Sequence, residues 1–256
     1  MKALVLLSES RHPVSGKPCL SRLEAQAARM ATILDPTPAG LHAGPGLETV
    51  REALGRGLAH LIHLACAAED DPVPALAAAV REAAPDVVLA GPRGEGGADT
   101  GLVPYALAFA LGWPLVPDAV TLSPGADAGT LGIEQALPRG ARRRVLVRLP
   151  VLVSVHPGAP APLPFAYARA RAGGAVTRAP AERVPVREED LEERLYRPRP
   201  KVMAQAGLTA AERVAALSGG NTRGRVLVDP APEEAAREIL SYLRGLGLAG
   251  ARSVDD

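Results

Sequence analysis

Through the first half of the chain, short continuous apolar runs take turns with segments whose apolar residues recur every three or four places. Ala3–Leu7 reads as a buried strand, followed by a loop holding His12-Pro13, Gly16 and Pro18. Ser21-x-x-Glu24 has the form of a capping box and opens an Ala-rich helix to about Leu34. A strand around Gly40–Ala43 ends at Gly44-Pro45-Gly46, and a helix is predicted from about Glu48 to Arg56. His60–Leu64 is a third short strand, and Asp71-Pro72, cap then first helical residue, starts a helix to about Ala84. Asp86–Ala90 is the clearest buried strand; the turn Gly91–Gly97 follows it, then a helix from Asp99 or Thr100 to Leu111. Strands separated by helices of this length imply a parallel sheet, with right-handed crossovers placing helices on both faces.

Beyond Trp113-Pro114 the pattern changes. Ala119–Leu122, Leu131–Leu137, Arg144–Leu149 and Val151–Val155 are strand-like with no helix between them, which predicts antiparallel pairing. Arg142-Arg143-Arg144 fits a strand with one solvated face better than a phosphate site. From Pro157 periodicity is lost: Pro157–Pro164 is Pro-dense and Arg178–Pro200 is charged and Pro-rich. Thr209-x-x-Glu212 is expected to cap a short helix, Arg225–Val228 to form a strand, and Pro232–Leu246 an amphipathic helix. The predicted fold class is α/β, a doubly wound, mostly parallel sheet with an antiparallel extension and an extended C-terminal arm.

Composition narrows the function. The 256 residues carry 29 basic and 28 acidic side chains, a net +1, so no basic field for nucleic acid is expected. No apolar run reaches the length of a membrane span, and Lys2–Leu7 is too short for a secretory segment. The two cysteines, Cys19 and Cys66, suit a reducing, cytoplasmic compartment. The five histidines are scattered; His60 and His63 fall on opposite faces of one strand, so no metal site is expected. Glu69-Asp70-Asp71 reads as solvated capping of the next helix. No nucleophile or acid/base constellation stands out, which disfavours a stand-alone enzyme. The turn after Leu89 is the best candidate site, because a Gly-rich turn feeding a helix offers free N–H groups to a phosphate. It is neither a P-loop nor a dinucleotide fingerprint, and its spacing alone leaves phosphate binding and a plain turn both open.

Three segments taken in order resemble the small (beta) subunit of electron-transfer flavoproteins: Glu48–Leu54 after Gly44-Pro45, Asp86–Gly91 followed by Leu111-Gly112-Trp113-Pro114, and Leu149–Val155. The likeness covers most of the chain. It implies a heterodimer in which a large (alpha) subunit holds most of the redox FAD, while the small subunit caps it and buries AMP or, in some branches, a second FAD. Dehydrogenases are the implied electron donors, and a quinone-linked or iron–sulfur centre the acceptor. Carried over to this sequence, the nucleotide contacts fall at Leu7, at Lys17-Pro18-Cys19-Leu20, at Ala43 beside Gly44, and at Gly97-Ala98-Asp99-Thr100-Gly101-Leu102-Val103-Pro104. Partner contacts fall on Phe165, Tyr167, Arg169 and Arg171, where the family has a Lys-rich helix. Two departures stand out. The family's consecutive aspartates and Asn-Gln-Thr-Gly-Gln are missing from the Gly97–Pro104 stretch, and the Tyr-x-x-Leu-Pro anchor of its recognition loop is absent, which implies a donor other than the usual acyl-CoA dehydrogenase. The expected organisation is a nucleotide-binding domain over 1–156, then a recognition loop, linker and arm over 157–256. The competing expectation is a stand-alone adenine-nucleotide-binding regulatory protein of similar architecture.

Overall fold

The computed structural model describes residues 1–12, 14–94, 100–186, 227 and 230–245. The chain divides into two compact units, Met1–Glu192 and Glu193–Asp256.

In the first unit the described residues form a nine-stranded sheet. Its members are β1 (Ala3–Leu7), β4 (Ala39–Gly44), β5 (His60–Ala65), β6 (Val87–Ala90), β7 (Leu115–Pro124), β8 (Thr130–Ala136), β9 (Arg142–Arg148), β10 (Val151–Val155) and β11 (Gly174–Arg178), in the order β11-β5-β4-β1-β6-β10-β7-β8-β9. A small hairpin, β2 (Ser10–Arg11) with β3 (Pro18–Cys19), stands apart from it. All pairs from β11 to β7 are parallel, and β7-β8-β9 is antiparallel. Helix α1 (Arg22–Leu34) covers one face through Ala27, Ala28, Met30 and Ala31, packed with Val5, Leu89 and Val153. Helices α2 (Pro72–Ala83) and α3 (Val103–Leu111) cover the other, where Leu76, Val80 and Leu107 meet Leu41, Val88 and Leu152. Strands buried on both sides need apolar residues at every position, and β1 and β10 are buried throughout.

That requirement corrects one expectation. Val151–Val155 was expected to pair antiparallel with its sequence neighbours, yet β10 inserts between β6 and β7 with both neighbours parallel. A strand with no polar face has no place on a solvated antiparallel extension. The ten-residue β7 serves both regions: Leu115–Ala119 lies beside β10 and Ala119–Pro124 beside β8, with a register break at the left-handed Asp118 (φ 57°). The arginine strand behaves as expected. Arg142, Arg144 and Arg148 of β9 are exposed at the sheet edge, and Arg143 donates to Gln135 Oε1 at 2.6 Å.

The stretch after Pro157 has more order than its pattern suggested. Gln26 Nε2 donates to Ala159 O at 2.7 Å and Arg29 to Ala161 O at 3.0 Å, laying the Pro-dense segment along α1. A short helix α4 (Tyr167–Ala172) precedes β11, which pairs with β5 through its backbone although most of its side chains are exposed. Farther on, Asp71 N donates to Val184 O (2.7 Å), Val186 N to Glu69 O (2.9 Å), and Arg183 pairs with Asp70 at 2.8 Å. Asp71 caps α2 by accepting from Val73 N at 2.9 Å. Asp70, expected to be solvated, is instead buried beneath this strap, and Arg183 holds its carboxyl below the ordinary carboxylate range.

Two predicted helices are shorter than their patterns. The segment from Glu48 is a 3-10 helix, Val50–Arg56, and α3 begins at Val103, where Pro104 occupies the first turn. In the second unit the described residues form helix α5 (Pro232–Gly245), with Glu233 and Glu234 in its first turn and Ile239, Leu240 and Tyr242 exposed. The helix expected after Thr209 lies outside the described residues, as does the strand expected over Arg225–Val228 apart from Leu227.

Candidate functional site

From β1 the chain steps outward to β4 and β5, then returns to place β6 on the other side of β1. In an open α/β sheet such a reversal marks the crevice beyond the carboxyl ends of the strands, the usual ligand position; here the strands are β4, β1 and β6. The ends there are Gly44, Leu7 and Ala90.

The ends of β4 and β1 are held by side chains from elsewhere. Glu24 of α1, 3% exposed, accepts from Ser8 N at 3.0 Å and from the Ser8 hydroxyl, fixing the residue after β1. The expected capping box is therefore not formed. Glu24 reaches the strand end rather than back to Ser21, and the buried Ser21 hydroxyl has no hydrogen-bond partner among the described residues. Gly91 follows β6 closely enough that a Cβ there would stand 3.4 Å from Glu24 Cγ. His42 Nδ1 lies 2.9 Å from Leu7 O, and Glu9 Oε1 accepts from Gly46 N at 3.0 Å, tying the Gly44-Pro45-Gly46 turn to the segment after β1. His63 Nε2 lies 2.8 Å from Gly44 O and its Nδ1 3.2 Å from Thr177 Oγ1 of β11. The two imidazoles stack with centroids 5.5 Å apart. Burial pushes the His42 imidazole below its ordinary value, against the raising pull of the Leu7 carbonyl.

The residues assigned by resemblance take these places. Leu7 is buried opposite His42, and Ala43 is half-buried beside Gly44. Lys17 and Pro18 are exposed and Cys19 half-buried on the β2–β3 hairpin, where the Ser10 hydroxyl donates to Cys19 O. Leu20 is buried, and its N–H donates to Glu52 Oε2 at 3.3 Å. Thr100 Oγ1 accepts from Leu102 N at 3.3 Å, and Gly101 adopts φ 69° with its would-be Cβ 3.0 Å from Pro92 O. Leu102 is exposed, Val103 half-buried and Pro104 buried at the start of α3. The structure thus sets Leu7 in register with His42, immediately before Ala43 and Gly44 on the neighbouring strand, while Gly101 reaches the turn after β6. Gly97, Ala98 and Asp99 lie outside the described residues.

The partner segment forms a second cluster. Phe165 lies against Gly55, where a Cβ would stand 2.3 Å from its ring, and Ala166 N donates to Gly55 O at 2.8 Å. Arg56 sits over the Phe165 ring at 6.0 Å, and Arg171 over Tyr167 at 6.0 Å. Tyr167, Arg169 and Arg171 are exposed on α4. A larger cavity of about 720 Å³ opens at the other edge of the sheet, at the amino ends of β1, β4 and β5. Its two lining carboxylates are already engaged: Asp35 accepts from Ala3 N at 2.8 Å, and Glu82 pairs with Arg178 at 2.9 Å.

Sequence reasoning missed Glu24 as a strand-end anchor, the His42–His63 pair, and the Glu52–Arg56 link between the two clusters. Only the register of β4 on β5 sets His42 opposite His63. Among the described residues, no group of three or more His, Cys, Asp or Glu is placed to hold a metal ion, and no helix is long and apolar enough to cross a membrane.

The residues present suit a nucleotide held through backbone. Two buried polar atoms, Ser21 Oγ and His42 Nε2, have no hydrogen-bond partner among the described residues; one lies where α1 begins and the other at the end of β4. The sequence profile of the electron transfer flavoprotein domain matches residues 18–191. A curated relative, the electron transfer flavoprotein subunit beta of Chromohalobacter salexigens, is 35% identical over 252 residues, which is 95% of this chain and 94% of the relative.

Proposed function

The chain belongs to the electron transfer flavoprotein family as a beta-type small subunit, and we propose that it buries AMP in the crevice beyond β4, β1 and β6 while helping an alpha subunit hold FAD. In this reading the flavin supplies the redox chemistry. This chain's residues bind and shelter: the backbone around Leu7, Ala43 and Gly44 and the turn at Gly101 form the nucleotide cradle, and Glu24, His42 and His63 hold it in shape. Electrons would pass from dehydrogenases to a quinone-linked or iron–sulfur acceptor, in the cytoplasm. Phe165, Tyr167, Arg169 and Arg171 would meet the donor or the alpha subunit.

The observation that carries the proposal is the convergence of three strand ends at the reversal of strand order, those of β1 and β4 fixed by the buried Glu24, His42 and His63. The partner reading draws on α3. Leu102, Tyr105 and Phe109 share one face of that helix and are 63%, 51% and 90% exposed, an uncharged surface that a second polypeptide would cover.

The test is to co-purify the full chain with its alpha subunit, denature the complex, and identify the released nucleotide by chromatography and mass. AMP with FAD in equal amounts supports the proposal. Two FAD would replace AMP with a second flavin. FAD alone would overturn the AMP assignment, and a nucleotide-free monomer would return the stand-alone regulatory reading.

A further inference from the structure

The 3-10 helix Val50–Arg56 and α4 border a small pocket of about 260 Å³, lined by Arg51, Glu52, Phe165, Tyr167, Ala170 and Arg171. Close packing of the two elements builds it. A Cβ on Gly173 would stand 2.8 Å from Leu54 Cδ2, and the Phe165 ring lies against Gly55 in the same way. Phe165 and Tyr167, 46% and 66% exposed, give the pocket an aromatic wall. Its charges are unevenly engaged. Arg56, beside it, has Nε, Nη1 and Nη2 all bound, to Glu52 and to Leu163 O. Glu52 is the one acid among the described lining residues, and both its oxygens are taken, by Arg56 and by Leu20 N. Arg51 is exposed, and its guanidinium has no hydrogen-bonding or ionic partner among the described residues. Arg171 reaches the Tyr167 hydroxyl at 3.4 Å and lies over that ring, with no carboxylate beside it among the described residues. Two guanidinium groups from two elements thus meet at one pocket without an anion. The volume falls below the roughly 300–1,000 Å³ of small-molecule sites and suits one inserted side chain.

We propose that the electron donor docks at this pocket by inserting one Asp or Glu side chain, which pairs with Arg51 and Arg171 against the Phe165–Tyr167 wall. The inference rests on the partner reading above and names the chemistry that reading leaves open. A guanidinium fork binds a carboxylate through two parallel N–H bonds, a geometry that a neutral amide does not match. Arginine and tyrosine are also the residues that most often anchor a protein interface. The choice of the donor over the alpha subunit follows from the character of the surface. A permanent subunit interface is mostly apolar, as the exposed face of α3 is, whereas a transient redox encounter is small and steered by charge. An open pocket edged by unpaired cations is of the second kind. Arg169, exposed on the same helix, adds to the positive field an acidic donor would meet.

The probes are the peptide acetyl-Ala-Ala-Glu-Ala-Ala-amide and its Gln counterpart. Each is titrated into the full chain assembled with its alpha subunit, and binding is read from the arginine side-chain N–H resonances. The Glu peptide is expected to shift the Arg51 and Arg171 signals and to bind about tenfold tighter than the Gln peptide at about 20 mM salt, an advantage that shrinks at about 300 mM. Arg51→Gln should weaken the Glu peptide about tenfold while the alpha subunit and bound nucleotide stay at wild-type amounts. Equal binding of the two peptides, no shift with either, or an Arg51→Gln effect below about twofold would overturn the inference and leave the partner reading standing. Loss of the alpha subunit from Arg51→Gln, or arginine signals already shielded in the assembled complex, would overturn it by giving the pocket to the subunit interface. A chain that assembles with no second subunit would overturn the partner reading and this inference together. The comparison of the two peptides on wild type decides the matter if the variant fails to fold.

Discussion

Glu52 and Arg56 join the two clusters, and the strength of that join can be measured. Both Nε and Nη2 of Arg56 donate to Glu52 Oε1, at 2.8 and 2.7 Å. The other Glu52 oxygen accepts from Leu20 N at 3.3 Å, and Arg56 Nη1 donates to Leu163 O at 3.1 Å. The pair thereby ties the hairpin assigned to nucleotide contact to the segment leading into Phe165. An exposed pair at this helical spacing would be worth about 0.3–0.5 kcal/mol. Here the side chains are 27% and 31% exposed, and each adds a backbone bond worth about 0.5–1.5 kcal/mol. Glu52→Gln should therefore cost about 1 kcal/mol and Arg56→Met about 1.5–2 kcal/mol, with the double variant recovering about 1 kcal/mol relative to their sum. Urea unfolding followed by the fluorescence of the single tryptophan, Trp113, supplies all four corners of the cycle. Additivity within about 0.3 kcal/mol would refute the reasoning, because independent side chains do not form a tie.

Other perturbations test other parts of the structure. Leu41 is fully buried in β4, and Leu41→Ala should cost about 2–5 kcal/mol in the same unfolding assay. Gly101→Ala places a side chain at φ 69° and 3.0 Å from Pro92 O; it should lose about 1 kcal/mol or more of stability and weaken AMP retention, read from the nucleotide released on denaturation. Asp70 is held below its ordinary value of 3.8 by the Arg183 hydrogen bond. The stabilisation from that pair is thus complete above pH 3.8 and disappears as pH falls through the lower folded-state value. Asp70→Asn should remove that acid limb from a plot of unfolding midpoint against pH, and should speed proteolytic cleavage within Arg178–Val186.

Much of the architecture is legible along the chain because burial dictates residue type. Ala3–Leu7, the Ala-rich helix to Leu34 and Pro72 as the first residue of α2 follow from local pattern and capping chemistry. Glycine turns after Ala43 and Ala90 mark the strand ends at which the crevice opens. Where expectation failed, a distant partner outweighed the local signal. Ser21 and Glu24 have capping-box spacing, but Ser8 offers the Glu24 carboxylate a backbone donor and a hydroxyl. β11 carries no apolar pattern and is ordered by hydrogen bonds to β5, which only the assembled edge presents. Asp70 sits in an acidic run that looks solvated until Arg183, far along the chain, folds over it.

The one-dimensional order of residues determined which segments are strands and helices, the parallel core, and, through its ordered motifs, membership of the family. The tertiary structure decided the rest: that β10 lies between β6 and β7, that His42 faces His63, and that Glu52 and Arg56 bridge two clusters. The physical reason is that periodicity and capping act over a few residues and are written locally. Strand order, register and long-range polar pairing depend on which surfaces meet, and no local pattern encodes that.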